Sequence, residues 1–322
     1  MKKPIKYIRV LLLLLLSAAI LFFFYLNRGL SHEVVAAQCK CLSLEEGGFE
    51  EFDSLPSQIY GVGLSYAGHI NETASEFDPV ADPPIFKKAV ESISRDNSEV
   101  GIPSHTEMLE AIEELEPGIA KQINESNNPL AALMDYEVEL GFVLLEDVDL
   151  KGLEDGSYLP KIGFFLANDL SSRSLAILGE GQSNRYDYWG VSKSFEGFTP
   201  ASSQVWIPHT FEENSIPCIR LQTLVNGEIR QDQMSSDLIY TPLEMLQAIH
   251  RKYPNAALKK GDWVLTGTPG GVILSTPRWL MRLANMIGLD RFAKLGSKTR
   301  EDEVAKFLKA GDVVISKGEG LG

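Results

Sequence analysis

The chain contains the apolar run Tyr136-Glu137-Val138-Glu139-Leu140-Gly141-Phe142-Val143-Leu144-Leu145, which carries two carboxylates at alternate positions. Such a run predicts a strand, in which successive side chains alternate between the two faces, so Glu137 and Glu139 point to the same side. Burying two like charges on one face costs several kcal/mol per ion unless a cation compensates them. The stretch therefore indicates a strand whose two carboxylates, if they are buried, require a metal ion or a basic partner.

A third carboxylate lies where another apolar run ends. Asp169 follows residues 162–167 and precedes Ser171-Ser172-Arg173. Three carboxylates, with water and a bidentate substrate, complete an octahedron around Mg²⁺ or Mn²⁺, and Ca²⁺ is also compatible with them. An isolated Glu-x-Glu pair is more often a solvated strand face, so other parts of the chain must decide between the two interpretations.

Short runs of β-branched and aromatic residues, separated by turn residues, predict further strands on both sides of this stretch. Asn226-Gly227 predicts a tight hairpin because both residues tolerate positive φ. The pattern Leu-Lys-x-Gly-Asp occurs at residues 258–262 and 308–312, and each copy predicts a turn that leads into a strand. The fold class is therefore α+β and β-rich. The main predicted strands are residues 59–64, 136–145, 162–167, 219–225, 263–266 and 313–315, and the main predicted helices are residues 106–123, 241–250 and 278–295.

Six segments follow one another along the chain: Glu137-Val138-Glu139-Leu140-Gly141, Ala167-Asn168-Asp169-Leu170-Ser171-Ser172-Arg173, Lys193-Ser194-Phe195-Glu196-Gly197-Phe198, Val225-Asn226-Gly227-Glu228 with Ser236-Asp237, Gly261-Asp262 with Thr266-Gly267-Thr268-Pro269-Gly270-Gly271-Val272, and Gly311-Asp312-Val313-Val314. In order and approximate spacing they resemble the fumarylacetoacetate hydrolase superfamily, from about Ile59 to the C-terminus. The resemblance implies a β-roll catalytic domain around a divalent metal, usually in a homodimer. It places the metal on Glu137, Glu139 and Asp169, in agreement with the strand periodicity.

Upstream, Gly63-Leu64-Ser65-Tyr66-Ala67-Gly68-His69-Ile70-Asn71-Glu72 resembles the family segment that carries a His-x-x-Glu pair. Residues three apart share one face of a helix, so Glu72 would orient the imidazole of His69 and raise its basicity. The resemblance implies that His69 takes a proton from water while Glu72 holds the imidazolium. Both residues are therefore catalytic candidates.

Basic and hydrogen-bonding groups complete the predicted site. Lys193 is the third catalytic candidate and would stabilise an oxyanion or enolate, since donors aimed at charge that grows in the transition state lower the barrier. Lys87 is an alternative to its neighbour in the chain, Lys88. The substrate-binding candidates are Arg173, Lys88, Thr268 and Gly267.

The resemblance implies an enzyme that uses a divalent metal to hydrolyse a carbon–carbon bond in a small acylpyruvate or 1,3-dicarbonyl acid. The metal would polarise the carbonyl and stabilise the enolate leaving group. The same chemistry supports an oxaloacetate-type decarboxylase or a keto-enol tautomerase, so both stay alternatives. Ala176 stands where the family usually has a glutamine that contacts substrate. Because of this departure, a catalytically impaired protein that binds a keto acid remains an alternative to an active enzyme.

The N-terminal residues predict a separate unit. Four basic residues in 1–9 precede an uncharged apolar run at 10–26, which is long enough to cross a thin bilayer as a helix. The excess of positive charge before the run predicts an N-terminus inside the cell. We therefore expect a cytoplasmic N-terminus, a single transmembrane helix at 10–26, a linker at 27–55 and a catalytic domain at 56–322 in a bacterial periplasm. A cleaved secretory signal that releases a soluble periplasmic protein is the alternative.

Residues 275–300 predict an amphipathic basic insertion, because their apolar positions follow a helical period. Such a helix either lies on an anionic membrane or covers another part of the protein as a lid or packing helix. Its basic residues are Arg278, Arg282, Arg291, Lys294, Lys298 and Arg300.

Composition excludes two classes of function. The formal net charge of −14 opposes a nucleic-acid partner, because phosphates would be repelled. Cys39, Cys41 and Cys218 are too few for a disulfide framework, and their spacing matches no four-ligand zinc site. The sequence does not decide whether any of the three cysteines are paired.

Overall fold

The computed structural model describes residues 16–25, 36–37, 39–51, 55–72, 81–95, 97–126, 130–274, 290–298 and 300–321, with residues 71 and 72 described by their backbone alone. The strands are β1 (Lys40–Leu42), β2 (Gly47–Glu51), β3 (Ile59–Val62), β4 (Ile85–Lys88), β5 (Ile93–Arg95), β6 (Met134–Asp135), β7 (Val138–Leu144), β8 (Ile162–Asn168), β9 (Ser171–Ser172), β10 (Thr199–Ala201), β11 (Gln204–Pro208), β12 (Ser215–Pro217), β13 (Arg220–Val225), β14 (Glu228–Met234), β15 (Trp263–Leu265) and β16 (Val314–Gly318). The helices are α1 (residues 16–25), α2 (Ala67–Glu72), α3 (His105–Leu115), α4 (Ile119–Glu125), α5 (Leu150–Asp155), α6 (Arg173–Leu178), α7 (Arg185–Ser192), α8 (Pro242–Lys252), α9 (Arg291–Lys298) and α10 (Glu301–Val304).

A nine-stranded mixed sheet forms the centre of the molecule. Its main strand order is β2-β11-β8-β7-β15-β3-β4, and β10 joins β5 to β8. Aromatic side chains pack on both faces, with Phe164 and Trp206 in one cluster and Phe165 and Trp263 in another. Each such side chain contributes about 1.5–3 kcal/mol when it is buried. The predicted β-rich α+β fold is confirmed.

A smaller antiparallel sheet has the order β14-β13-β16. Its hairpin turns at Asn226 and Gly227, whose φ angles are 51° and 84°. Both values lie in the left-handed region, which is the geometry of a two-residue hairpin turn that matches the strand twist. The hairpin predicted from this dipeptide is confirmed.

The two Leu-Lys-x-Gly-Asp segments form the same turn. In each copy the aspartate accepts a hydrogen bond from the backbone N–H three residues before it, Asp262 from Lys259 at 2.9 Å and Asp312 from Lys309 at 2.8 Å. The intervening glycine has a φ of 89° in both copies. Each turn leads into a strand, as the sequence predicts, but Asp262 is buried whereas Asp312 is more exposed.

The helices form a second layer with its own core. Residues 106–123, predicted as one helix, form α3 and α4, which are separated at Glu116-Pro117-Gly118 because proline and glycine both disfavour a continuing helix. Met108 and Ile112 from α3 pack with Leu175 and Tyr188 from α6 and α7.

The predicted linker at 27–55 is partly wrong. Within it, β1 pairs in parallel with β12, and β2 pairs antiparallel with β11 at the edge of the central sheet. Cys41 and Cys218 form a disulfide, and Cys39 is a free thiol. These strands were missed because they are short and polar and lack the alternation that marks longer strands.

The predicted membrane anchor and the localisation that followed from it are wrong. Among the described residues, none of the helices is both long enough and apolar enough to cross a bilayer. Of the segment at 10–26, residues 16–25 form α1, and the others lie outside the described residues.

The described end of the basic insertion packs on the protein. Arg291 donates to Glu116 at 2.7 Å, Lys294 donates to Glu180 at 3.4 Å, and Leu295 is buried in the helical core. The rest of the insertion, residues 275–289 and 299, lies outside the described residues. The basic side chains of α9 thus pair with acidic residues of the domain, as in a packing helix.

Candidate metal and active site

The antiparallel pair β7–β8 brings the first and third predicted metal ligands together. Its register ends at Val138 opposite Asn168, and one residue further Asp169 donates its backbone N–H to the carbonyl of Glu137 at 2.8 Å. The side chain of Asn168 accepts the N–H of Glu137 at 2.9 Å. Two segments that are distant in sequence therefore place the carboxylates of Glu137 and Asp169 at one end of the sheet.

Glu137, Glu139 and Asp169 form a buried carboxylate cluster. One oxygen from each side chain lies within 4.8 Å of the others, and all three residues are buried. Carboxylate oxygens are the donors that Mg²⁺, Mn²⁺ and Ca²⁺ prefer. The cluster fits a divalent metal both in its donor atoms and in their separation.

Two lysines lie against these carboxylates. Lys193 Nζ is 2.5 Å from Glu137 Oε2 and 2.6 Å from Asp169 Oδ2. Lys88 Nζ donates to Asp169 Oδ1 and to the carbonyl of Phe198. Lys87, the sequence alternative, stacks at the surface over the ring of Tyr253. Of the two adjacent lysines, Lys88 is therefore the one at the carboxylate cluster.

Arg173 begins α6 and is held by two acids. Its Nε donates to Asp135 Oδ2 at 2.8 Å, and its Nη2 pairs with Glu137. Asp135 is fully buried and also accepts the backbone N–H groups of Ile273 and Leu274. Sequence reasoning missed Asp135, although it lies only two residues before the first ligand.

Glu139 of β7 and Glu137, which directly precedes β7, have opposite pKa shifts. Burial acts to raise the pKa of Glu137, but the charges of Arg173 and Lys193 outweigh it and lower the pKa to about 2. Burial and the charge of Asp169 hold the pKa of Glu139 well above its usual range. A cation beside Glu139 would offset both causes.

The lysines are shifted in opposite directions as well. Burial lowers the pKa of Lys88, although Asp169 opposes that effect. Burial also acts against the charged form of Lys193, but the charges of Asp169 and Glu137 raise its pKa overall. Lys193 is therefore the more firmly charged of the two groups.

His69 lies on the short helix α2 and interacts electrostatically with the cluster. Burial lowers its pKa to about 4, against the charge of Glu137, which acts to raise it. Its imidazole is therefore neutral at physiological pH, but it is a weaker base than an exposed histidine. Glu72 lies at the end of α2, and its side chain is outside the described part of the structure.

The glycine-rich turn contacts β7. Gly267, with a φ of 91°, donates its N–H to Glu139 Oε2 at 2.8 Å. The hydroxyl of Thr268 donates to the carbonyl of Val138 at 3.0 Å and accepts from Gln231 Nε2 at 2.8 Å. A hydroxyl has one proton, so the predicted bond from Thr268 to a substrate requires this proton to leave Val138.

The sequence-predicted site residues that the structure describes thus converge on one end of β7 and β8. A comparison of the chain with family models matches residues 58–322 to the C-terminal domain of fumarylacetoacetate hydrolase. The chain belongs to the fumarylacetoacetate hydrolase family. Its sequence resemblance to that family is confirmed, and the family is enzymatic, with members that act on small keto acids.

Relatives in the family differ in their reactions. Over 214 residues the chain is 26% identical to oxaloacetate tautomerase YisK from Bacillus subtilis, a match that covers 66% of this chain and 59% of that protein. The chain thus spans less than two thirds of the length of that relative.

Two solved structures share the family fold. A probable 2-hydroxyhepta-2,4-diene-1,7-dioate isomerase from Mycobacterium abscessus has a TM-score of 0.51 and 22% identity, covering 83% of this chain and 73% of its own. The protein Cg1458, crystallised with an inhibitor, has a TM-score of 0.52 and 21% identity, covering 83% of this chain and 75% of its own.

Proposed function

We propose that this family member is a divalent-metal-dependent hydrolase that cleaves a carbon–carbon bond in a small acylpyruvate or related 1,3-dicarbonyl acid. The observation that carries the proposal is a neutral imidazole, His69, in electrostatic contact with the same carboxylate cluster that holds Lys193. Hydrolysis needs a base that activates water, whereas enolisation alone does not need a water nucleophile.

Glu137, Glu139 and Asp169 would hold the metal, for which Mg²⁺ or Mn²⁺ suits the oxygen donors. When bound, such an ion supplies Lewis acidity that polarises the carbonyl groups of the substrate. Gly267 orients one of the three ligands through its N–H bond to Glu139.

His69 accepts a proton from water on an imidazole nitrogen, and the water oxygen attacks the distal carbonyl. The bond from that carbonyl carbon to the adjacent carbon then breaks, and the leaving enolate takes the electron pair and receives the proton back from the imidazolium. The pKa of about 4 keeps the imidazole unprotonated before this step. Lys193, charged and in contact with Glu137 and Asp169, stabilises the negative charge that develops on the substrate oxygen. Arg173 and Lys88 supply the further positive charge that a substrate carboxylate requires.

A second candidate reaction is keto-enol tautomerisation of an oxaloacetate-like acid. It is favoured by the 26% identity to a tautomerase, and decarboxylation of the same type of acid would use the same enolate stabilisation. Neither reaction consumes water. His69 would then be dispensable for decarboxylation, which forms the enolate by losing CO₂, whereas tautomerisation would use it to move a proton between carbon and oxygen rather than to activate water.

The deciding experiment is a substrate panel with Mg²⁺ or Mn²⁺ present. Acylpyruvates, fumarylpyruvate and oxaloacetate are each followed by loss of enol absorbance, with product analysis to distinguish cleavage, decarboxylation and tautomerisation. We expect cleavage of an acylpyruvate. Turnover of oxaloacetate alone would establish the second candidate. Metal binding without turnover of any of them would establish a keto-acid-binding protein, as the alanine at position 176 allows.

A further inference from the structure

The peptide groups of Val138 lie between the two glutamates of the carboxylate cluster. Alternate residues of a strand direct their N–H and C=O groups to opposite neighbours. On one side, Glu137 bonds to β8, while on the other side β15 pairs with β7 only from Gly141 to Val143. Val138 therefore lies beyond the end of β15, where sheet pairing does not satisfy its backbone.

Two side chains take the place of the missing strand. Val138 donates its N–H to Gln231 Oε1 at 3.0 Å, and its carbonyl accepts the hydroxyl of Thr268 at 3.0 Å. Gln231 Nε2 donates in turn to Thr268 Oγ1 at 2.8 Å. The backbone between the two metal-ligand candidates is thus bonded on both its polar groups by one connected pair of side chains.

Gln231 has every polar position of its amide paired. Besides the bonds to Val138 and Thr268, its Oε1 accepts the hydroxyl of Thr223 at 2.7 Å, and its Nε2 donates to the carbonyl of Pro269 at 2.9 Å. Only 1% of the residue is exposed. An amide offers two acceptor and two donor positions. Gln231 uses all four of them to link β14, β13, β7 and the glycine-rich turn.

We propose that Gln231 is a positioning residue for the metal site, acting through Val138 and Thr268 to fix the orientation of Glu137 and Glu139. The inference rests on the proposed metal dependence of the enzyme. The side chains of Glu137 and Glu139 extend from the two ends of the Val138 backbone, so a rotation there displaces both oxygens. Mg²⁺ requires near-octahedral ligands at about 2.0–2.1 Å, which tolerates little displacement.

The same contacts assign Thr268 to this support. Its hydroxyl proton is directed at Val138 and its acceptor position at Gln231. Thr268 thus acts on the reaction through the orientation of β7, and a substrate carboxylate is bound by the cationic groups.

The test is calorimetric titration of Mn²⁺ and Mg²⁺ into the full chain and into Gln231→Leu, which removes all four bonds at similar volume. Changes to groups that orient metal ligands typically weaken affinity about 10–100-fold, and we expect at least about tenfold here. Gln233→Leu is the matched control. Gln233 lies two residues further along the same strand and accepts the N–H of Gly270 in the same turn, but it bonds to Asp237 rather than to β7.

Thermal unfolding with and without Mn²⁺ gives a second readout. A bound ligand stabilises the native state by RT ln(1 + [L]/Kd), which falls as Kd rises. The rise in Tm on adding metal should therefore shrink in Gln231→Leu and stay unchanged in Gln233→Leu. Thr223→Val, which removes one donor to Gln231, gives a smaller weakening in the same direction and serves if Gln231→Leu does not fold.

The outcomes are distinguishable from failure of the proposed function. A wild-type chain that binds neither metal overturns both the proposed metal dependence and this inference. A wild-type chain that binds metal, with Gln231→Leu and Thr223→Val binding equally well, overturns the inference alone. A loss of metal affinity in Gln233→Leu equal to that in Gln231→Leu also overturns the inference. The loss would then come from the contact with the glycine-rich turn rather than from the bond to β7.

Discussion

At the scale of single residues, the surroundings of two chemically identical side chains give them different pKa values. Glu137 and Glu139 lie two residues apart at the start of β7, yet the pKa of Glu137 is lowered and that of Glu139 is raised. The cause is the distribution of cations, because Arg173 and Lys193 both contact Glu137. Glu139 is the carboxylate that depends most on a further positive charge.

Removing a ligand charge should therefore abolish metal binding. Glu137→Gln and Asp169→Asn keep the shape of the side chain but remove an anionic donor, and we expect metal affinity to fall by more than about 100-fold, beyond the range typical of outer-shell changes. Calorimetric titration measures this, and turnover should be lost in parallel. Glu146→Gln is the control, since Glu146 bonds to Tyr158 away from the site. Unchanged affinity in both ligand variants would remove these residues from the metal site.

His69→Ala tests whether cleavage depends on a base that activates water. A general base contributes about 10²–10⁴-fold to a rate, so cleavage should fall by that factor while affinity for metal and for oxalate is retained. Steady-state kinetics and calorimetry on the same preparation provide both values. Cleavage at the wild-type rate would exclude His69 from the mechanism.

The low pKa of His69 predicts the acid limb of the pH profile. Because burial lowers that pKa to about 4, the base form is present above that value and is lost as the pH falls through it. The kcat/KM for cleavage should therefore stay level from about pH 5 to neutrality, since this parameter reports the free enzyme. An acid limb centred near the ordinary histidine value of 6.5 would contradict a buried, neutral His69.

The sequence predicts the site residues that place a charge inside an apolar run. It does not predict the residues that hold them in position by hydrogen bonds. Glu137-Val138-Glu139 stands out because two acids interrupt an apolar strand. Gln231 lies in β14, where its neighbours are also polar and mostly exposed, so its burial follows only from tertiary packing. Asp135 likewise precedes the apolar run and resembles an ordinary turn residue.

At the scale of elements, long strands were predictable and short ones were not. β7 and β8 each have seven residues that are all buried, and their apolar runs mark them in the sequence. β1 has three residues and β2 has five, most of them exposed. Their pairing is decided by the strands that they adjoin, β12 and β11, so local pattern carried no signal for them.

The two Gly-Asp turns provide a stability test at this scale. Asp262 accepts N–H groups from Lys259 and also from Gln58 at 3.0 Å, in a buried position, whereas Asp312 is more exposed. Leaving buried N–H groups without a partner costs about 1–3 kcal/mol. We expect Asp262→Ala to lower the free energy of unfolding by that amount and Asp312→Ala to lower it by less. Chemical denaturation compares the two, and an equal loss would show that burial does not set the contribution of these turns.

At the scale of the whole molecule, the small sheet exposes apolar side chains in a chain with a net charge of −14. On the small sheet, Leu224 of β13 lies directly opposite Ile229 on one side and Ile315 on the other. Ile229 is 56% exposed, Val313 is 59% exposed and Ile315 is 42% exposed. Cross-strand partners share a face, so these side chains form one contiguous apolar patch.

Contiguous exposed apolar patches mark interaction sites, and a two-fold homodimer covers the same patch on both protomers at once. We therefore predict that the chain is a homodimer that associates through this sheet face. Ile229→Asp and Ile315→Asp would each place a charge in the interface, and we expect either variant to shift the mass from dimer to monomer while the fold is retained. Size-exclusion chromatography with light scattering measures the mass, and circular dichroism checks the fold.

Phe49→Asp is the control, because Phe49 is 43% exposed but lies on β2 at the edge of the other sheet. A wild-type chain that stays monomeric at high concentration would contradict the predicted homodimer. A dimer that survives both isoleucine variants but dissociates in Phe49→Asp would place the contact on the other sheet.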